Sequence, residues 1–372
     1  MKMKAGVFYG PGDIRIEEVE KPEPDDKGML IKVGACGICP IIDVPHFKMD
    51  FPLKDVPAHY DKNFPPNKPL ILGHEFCGEV VEKGSEVSAA DIGDRVYGVV
   101  WQPCGVCQYC RSGDYENCKY VDGGGRTVNG AMAEYLLFSN MTVESLIEDK
   151  FIKIPDTLTD ADGALVEVLV LSLGLANKAK QNDVVVVFGQ DLMGLGIAAY
   201  LKRKGEVSKI ITCDISEKRL IASREVGADI AVNVLENDIL EVVLDETDGK
   251  GADVVIETSC RAESLQQAVN VVKPFGNIWL GTAYTEGNFF NPTWQSPGMV
   301  SMNLTMKMGI SIRCAWGTLG PWMPRIKEVI NMIDEGIITA EKYATFFPLE
   351  KVEEAFLTAM DPHKSIKVVL QP

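Results

Sequence analysis

The chain has 372 residues, of which 46% are hydrophobic and 24% charged, with a formal net charge of −16. That is too long for one ordinary core, comfortable for two domains, and typical of a soluble globular enzyme. The charge argues against nucleic acid as a partner, since that binding needs Lys and Arg on phosphates, and no apolar run is long enough for a membrane span.

The N-terminus runs from Met1 into a strand-like segment without an apolar leader, so a cytoplasmic location is expected. Ten cysteines in that compartment point to metal ligands and buried thiols more than to disulfides. Short strands are predicted over 4–9, 13–19, 29–35, 76–83, 95–100 and 133–138, punctuated by Gly and Pro. Residues 41–69 show little periodicity and carry Pro45, Pro52, Pro57, Pro65 and Pro66 before Pro69, which predicts a long loop. Residues 122–126 and 64–69 also read as loops.

Within this β-rich third, Cys104, Cys107, Cys110 and Cys118 form a C-x2-C-x2-C-x7-C string. Four thiolates at short spacing suit a tetrahedral zinc ion, and a closed site of that kind is structural. Free core thiols, disulfides and an iron–sulfur cluster are the alternatives. Two-residue gaps fit a disulfide poorly, and Lys119 stands where the bacterial iron–sulfur string has proline. Gly73-His74-Glu75 precedes the strand over 76–83, Cys39 ends Gly37-Ile38-Cys39, and Glu167 lies near the change of pattern at about residue 165. Thiolate, imidazole and carboxylate can hold a second zinc with one position open, where Lewis acidity lowers the pKa of an alcohol oxygen. The other reading of His74 is a satisfied core histidine.

After residue 165 strands and helices alternate. Strands are predicted over 183–188, 209–213, 230–234, 253–257, 277–280 and 310–315, with helices over 192–204, 217–226, 237–246 and 263–272. The run Asp183-Val-Val-Val-Val-Phe188 suits a strand buried on both faces of a parallel sheet. The pattern predicts a doubly wound α/β domain. Helices over 324–335 and 352–360 and a strand over 365–370 are expected to return to the first domain.

Gly189 follows the buried strand and Gly194 opens a helix, as in G-x-G-x-x-G, where helix N-terminal amides meet a pyrophosphate. Asp191 replaces the middle glycine. Asp214, 25 residues after Gly189, stands where a carboxylate bonds the ribose 2′-hydroxyl of NAD and repels the 2′-phosphate of NADP. Its alternative role is a helix N-cap.

Together these strings resemble the zinc-dependent medium-chain dehydrogenase/reductase family, within the alcohol dehydrogenase superfamily and near its sorbitol and threonine dehydrogenase branch. Supporting strings include Gly37-Ile38-Cys39, Pro69 to Gly78, the four-cysteine lobe, Gly93-Asp94-Arg95-Val96, Gly130 to Tyr135 and Gly251 to Glu257. The resemblance implies a GroES-like catalytic domain over 1–168 and 317–372 and a Rossmann NAD domain over 169–316. It implies two zinc ions per chain, the reactive one on Cys39, His74 and Glu167. Glu75 resembles the neighbouring acid that alternates in and out of the coordination sphere. Gly189, Met193, Gly194 and Asp214 would serve NAD, and Lys367 resembles a basic residue that reaches the pyrophosphate. The implied reaction is hydride transfer from a secondary alcohol, polyol or sugar-like substrate to NAD, in a homodimer or homotetramer.

One departure bears on chemistry. Pro40-Ile41-Ile42 replaces the family's Gly-Thr/Ser-Asp, and Ile41 cannot carry a proton. Asp43, His46, His59 or a water would have to replace that relay. Transient oxidation within an elimination or epimerisation is one alternative chemistry, and a silent binder that kept the fold is another.

Overall fold

A computed structural model describes residues 1–48, 69–98, 101–113, 118–120, 122–139, 151–259, 261–281, 307–314 and 322–372. The chain divides into two units, Met1–Glu167 with Pro321–Asp361 and Lys367–Pro372, and Val168–Gly320 with Pro362–Ile366.

The first unit is β-rich. Lys2–Gly10 pairs antiparallel with Asp13–Glu20 and with Leu70–Ile71. A larger sheet runs Phe151–Lys153, Arg95–Gly98, Glu75–Lys83, Met29–Gly37, Lys367–Gln371, Ala344–Pro348, and Tyr135–Phe138 also pairs with Met29–Gly37. Met29, Ile31 and Val33 alternate along their strand into one core with Phe76, Val80, Val96 and Leu136, the period-two signature of a strand. The predicted return of the last strand is therefore observed.

The second unit holds one parallel sheet in the order Ile230–Asn233, Lys209–Asp214, Val184–Phe188, Ala252–Glu257, Val272–Leu280, Ser311–Cys314. In chain order that is 3-2-1-4-5-6, the dinucleotide-binding doubly wound arrangement. Val185, Val186 and Val187 are fully buried, as the unbroken apolar run predicts. The fold class read from the sequence is the one observed.

Several short elements were not predicted, and three differences bear on the architecture. Asp43–Lys48 is a short helix at the start of the predicted loop, possible because Pro45 falls in its first turn, where a missing N–H costs nothing. Residues 49–68, including His59, lie outside the described residues. Asp160–Ala176 is a 17-residue helix that no periodicity announces, because it is apolar nearly all round. Its N-terminus is set by a reciprocal pair in which Thr159 N and Asp162 N each donate to the other's side chain, both at 3.1 Å. Ala344–Pro348 is a strand in parallel with Lys367–Gln371, although it lacks polar/apolar alternation.

Candidate active site and metal centres

Three strand ends meet inside the first unit. Gly37 stands opposite Glu75 in the antiparallel pair of Met29–Gly37 and Glu75–Lys83. Val369 stands opposite Gly37 on the other side, and Ile38 N donates to Val368 O at 2.9 Å. This register carries Cys39, the His74-Glu75 pair and Lys367 to one place. A Cβ on Gly37 would lie 2.5 Å from Glu75 Oε2 and 3.0 Å from Lys367 Cε, so only glycine allows the approach.

Cys39, His74 and Glu75 are all buried, and their ligand atoms lie within 4.8 Å of one another. Glu167, read from the sequence as the third member of this set, is not in that close trio. Glu75, which adjoins His74 and faces Gly37 across the sheet, completes that close trio. Glu167 is half-buried nearby, its Oε2 out of reach of solvent. Burial pushes its carboxyl up to about 7 in the metal-free protein, with His74 opposing and Glu75 reinforcing the shift. Its Oε2 has no hydrogen-bond partner. Lys367 does not present its ammonium to solvent. It is 3% exposed, bonds the Glu75 carboxylate, and donates to Ile38 O at 3.0 Å. That occupation differs from the pyrophosphate contact implied by resemblance.

Asp43 has the most particular position. It is fully buried, and its Oδ2 accepts from Cys39 N at 2.9 Å. Its Oδ1 stands 3.6 Å from His74 Nδ1, just beyond hydrogen-bond reach, and both atoms are otherwise unpartnered. A carboxylate behind an imidazole fixes the ring and its tautomer for a metal on the other nitrogen. The sequence reading offers Asp43 only as a proton relay. The structure makes it the support of two candidate ligands.

The electrostatics call for a cation. Burial raises the Cys39 thiol, and Glu75 adds repulsion. Burial opposes a charge on His74, yet Asp43 and Cys39 outweigh it and raise the ring well above its ordinary value. Thiolate, imidazole and carboxylate, with orphaned buried atoms on His74, Asp43 and Glu167, fit zinc. Two nearby groups escape sequence reasoning, having no motif. Arg126 is half-buried and interacts with Cys39, Glu167 and Asp43. Tyr97 is fully buried beside Glu167 and Glu75, its hydroxyl unpartnered.

The four-cysteine string forms the second cluster. Four of its sulfur–sulfur pairs stand 3.5 to 3.9 Å apart, and all four sulfurs lie within 4.8 Å of one another. A tetrahedron with Zn–S of about 2.3 Å has edges of about 3.8 Å, whereas a disulfide needs about 2.05 Å. Backbone amides of Cys104 and Tyr120 donate to Cys118 Sγ at 3.3 and 3.4 Å. Amides of Cys110 and Lys119 pull Cys107 down to about 6, while burial and Cys107 push Cys110 up to about 12. The residues fit a closed zinc site.

In the second unit, Gly189 and Gly194 flank the turn between Val184–Phe188 and the helix Leu192–Lys204. Asp214 ends the neighbouring strand. Its Oδ2 accepts from Gln190 N at 2.7 Å and its Oδ1 from Ile215 N and Ser216 N at 2.8 and 2.9 Å. It therefore ties the glycine turn to the second strand. The cap residue of the helix Glu217–Glu225 is Ser216, whose side chain makes no capping bond, and not Asp214, the alternative the sequence offers.

Residues 25–148 match the alcohol dehydrogenase GroES-like domain, and residues 193–335 match the zinc-binding dehydrogenase domain. A sorbitol dehydrogenase of Halalkalibacterium halodurans is 32% identical over 74% of this chain and 75% of its own length. The erythritol/L-threitol dehydrogenase of Mycolicibacterium smegmatis is 30% identical over 100% of this chain and 98% of its own. The chain belongs to the zinc-binding alcohol dehydrogenase family. In structure this dehydrogenase superposes on 2R,3R-butanediol dehydrogenase from Bacillus subtilis with a TM-score of 0.77 at 26% identity, covering 100% of this chain and 99% of that one. Membership makes it an oxidoreductase, and zinc and NAD are the cofactors that the family domains and the two ligand clusters support.

Proposed function

We propose that this dehydrogenase oxidises a secondary hydroxyl of a polyol or sugar-like substrate and passes the hydride to NAD⁺. The observation that carries the reading is the buried trio of Cys39, His74 and Glu75, with ligand atoms within 4.8 Å of one another. The activities for which the sorbitol and erythritol/L-threitol dehydrogenase relatives are named support the substrate class. Among the described residues no helix is long and apolar enough to cross a membrane. A cytoplasmic location and a homodimer or homotetramer belong to the same proposal.

Bound zinc supplies a Lewis acid for the substrate hydroxyl, and bound NAD supplies the hydride acceptor. The chain's residues supply the rest. Cys39, His74 and Glu75 would hold the ion, while Asp43 accepts from Cys39 N and stands 3.6 Å behind the His74 ring. The hydroxyl proton needs an acceptor, and Ile41 is not one. His46, on the helix Asp43–Lys48, fits the task. Its Nδ1 meets the carbonyl of Ile42, so Nδ1 carries the hydrogen and Nε2 is the basic nitrogen. Burial holds the ring below its ordinary value despite Ile42 and Asp43, which favours the neutral, proton-accepting form. His46→Gln is expected to lower kcat/KM by about 10²–10⁴-fold, the usual worth of a general base, and to flatten the acid limb of its pH profile. An unaltered profile would assign the proton to another group.

The reading is tested by measuring NADH formation across polyols, sugars and amino-alcohols, with zinc content on the same sample. Stoichiometric NADH release from a polyol is the expected result. Zinc-loaded protein that converts a polyol without net NADH would move the assignment to transient oxidation.

A further inference from the structure

The turn that opens the dinucleotide domain keeps two of its three glycines because packing demands them. Gly189 has φ +86°, and its Cβ would lie 2.8 Å from Thr258 Oγ1 and 2.9 Å from Ser259 N. A Cβ on Gly194 would overlap the carbonyl oxygen of Gly189. The middle position is different. Asp191 has φ −70° and ψ −170°, a backbone open to any residue, so nothing in the turn itself calls for glycine there.

The Asp191 side chain folds onto the helix it precedes. Its Oδ1 accepts from Met193 N at 2.9 Å and from Gly194 N at 3.4 Å. First-turn amides of this helix are the donors that hold a pyrophosphate in this fold. Beside them, Gln190 is fully buried, its Nε2 donates to Val187 O at 3.0 Å, and its Oε1 is unpartnered. The helix has no acidic residue in its first turn, and its basic residues, Lys202, Arg203 and Lys204, are in its last.

We propose that Asp191 sets the affinity of this enzyme for its dinucleotide. Its carboxylate occupies amides that the pyrophosphate needs, so the cofactor binds only by displacing it and against its charge. This rests on the reading of the second unit as the NAD domain, and it predicts a cofactor that is held loosely and exchanged readily.

The test uses the full zinc-loaded chain as wild type, Asp191→Asn and Asp191→Gly. NADH affinity is measured by calorimetry and nicotinamide fluorescence, and melting is followed without cofactor. Asn keeps a capping oxygen and removes the charge, so NADH is expected to bind several-fold more tightly. Gly also frees the amides, and at least about tenfold tightening is expected. The electrostatic part of the gain shrinks as salt rises. Without cofactor, the glycine variant melts lower than wild type because the cap is lost. Should the glycine variant fail to fold, the asparagine variant alone decides. Wild type that binds NADH as tightly as the variants overturns the role of Asp191 and leaves the NAD domain standing. No NADH binding by any of the three overturns both.

Discussion

Cys39→Ala and His74→Ala are each expected to remove one zinc of two and to lower kcat/KM by at least about 10³-fold, while the chain stays folded. The size follows from the several kcal/mol that a Lewis acid contributes at a developing oxyanion, each 1.36 kcal/mol being about tenfold. The fold should survive because Cys39 and His74 sit at strand ends, whereas the core is held by Met29, Ile31, Phe76 and Leu136. Cys107→Ser should show the reverse pattern. It breaks the set of sulfurs 3.5 to 3.9 Å apart, lowers the melting temperature, and leaves the trio its ion. Glu167→Gln should keep both ions, since Glu167 stands outside the trio. Zinc content, turnover and thermal melting on the same preparations separate these outcomes. A His74→Ala enzyme with near-normal turnover would remove the basis for a reactive metal here.

The parallel sheet and the four-cysteine lobe were legible in the sequence because each is local. An unbroken Val-Val-Val-Val run and a C-x2-C-x2-C string carry their meaning within a few residues. The reactive site was half legible. The Gly37-Ile38-Cys39 and Gly73-His74-Glu75 strings named two of its members, but the closeness of Glu75 to them depends on Gly37 standing opposite Glu75. Register across a sheet is a non-local fact. The supporting role of Asp43 escaped for a related reason. It lies one residue beyond the family's usual acid position, and only the short helix Asp43–Lys48 brings it back onto Cys39 N. The helix Asp160–Ala176 was hidden by its own burial, since an all-round apolar segment has no period to read. Lys367 was visible as a basic residue in the last strand, but its partner is 292 positions away.

That partnership gives the second large expected effect. The side chains of Lys367 and Glu75 are 3% and 2% exposed, so neither charge is screened by water. Lys367→Met removes the ammonium and leaves the carboxylate buried and uncompensated, which costs about 3–5 kcal/mol. For a unit of this size the melting temperature should fall on the order of 10 °C. Adding Glu75→Gln to Lys367→Met should recover much of the loss, because a neutral amide is far cheaper to bury than a lone charge. The metal state supplies the sharper comparison. A zinc ion held by Cys39, His74 and Glu75 would itself compensate the Glu75 charge, so Lys367→Met should cost the zinc-loaded protein less than the chelated one. Equal losses in both states would mean that Glu75 does not face the ion. No loss in either would mean that the pair contributes nothing beyond what a methionine of similar length supplies by packing.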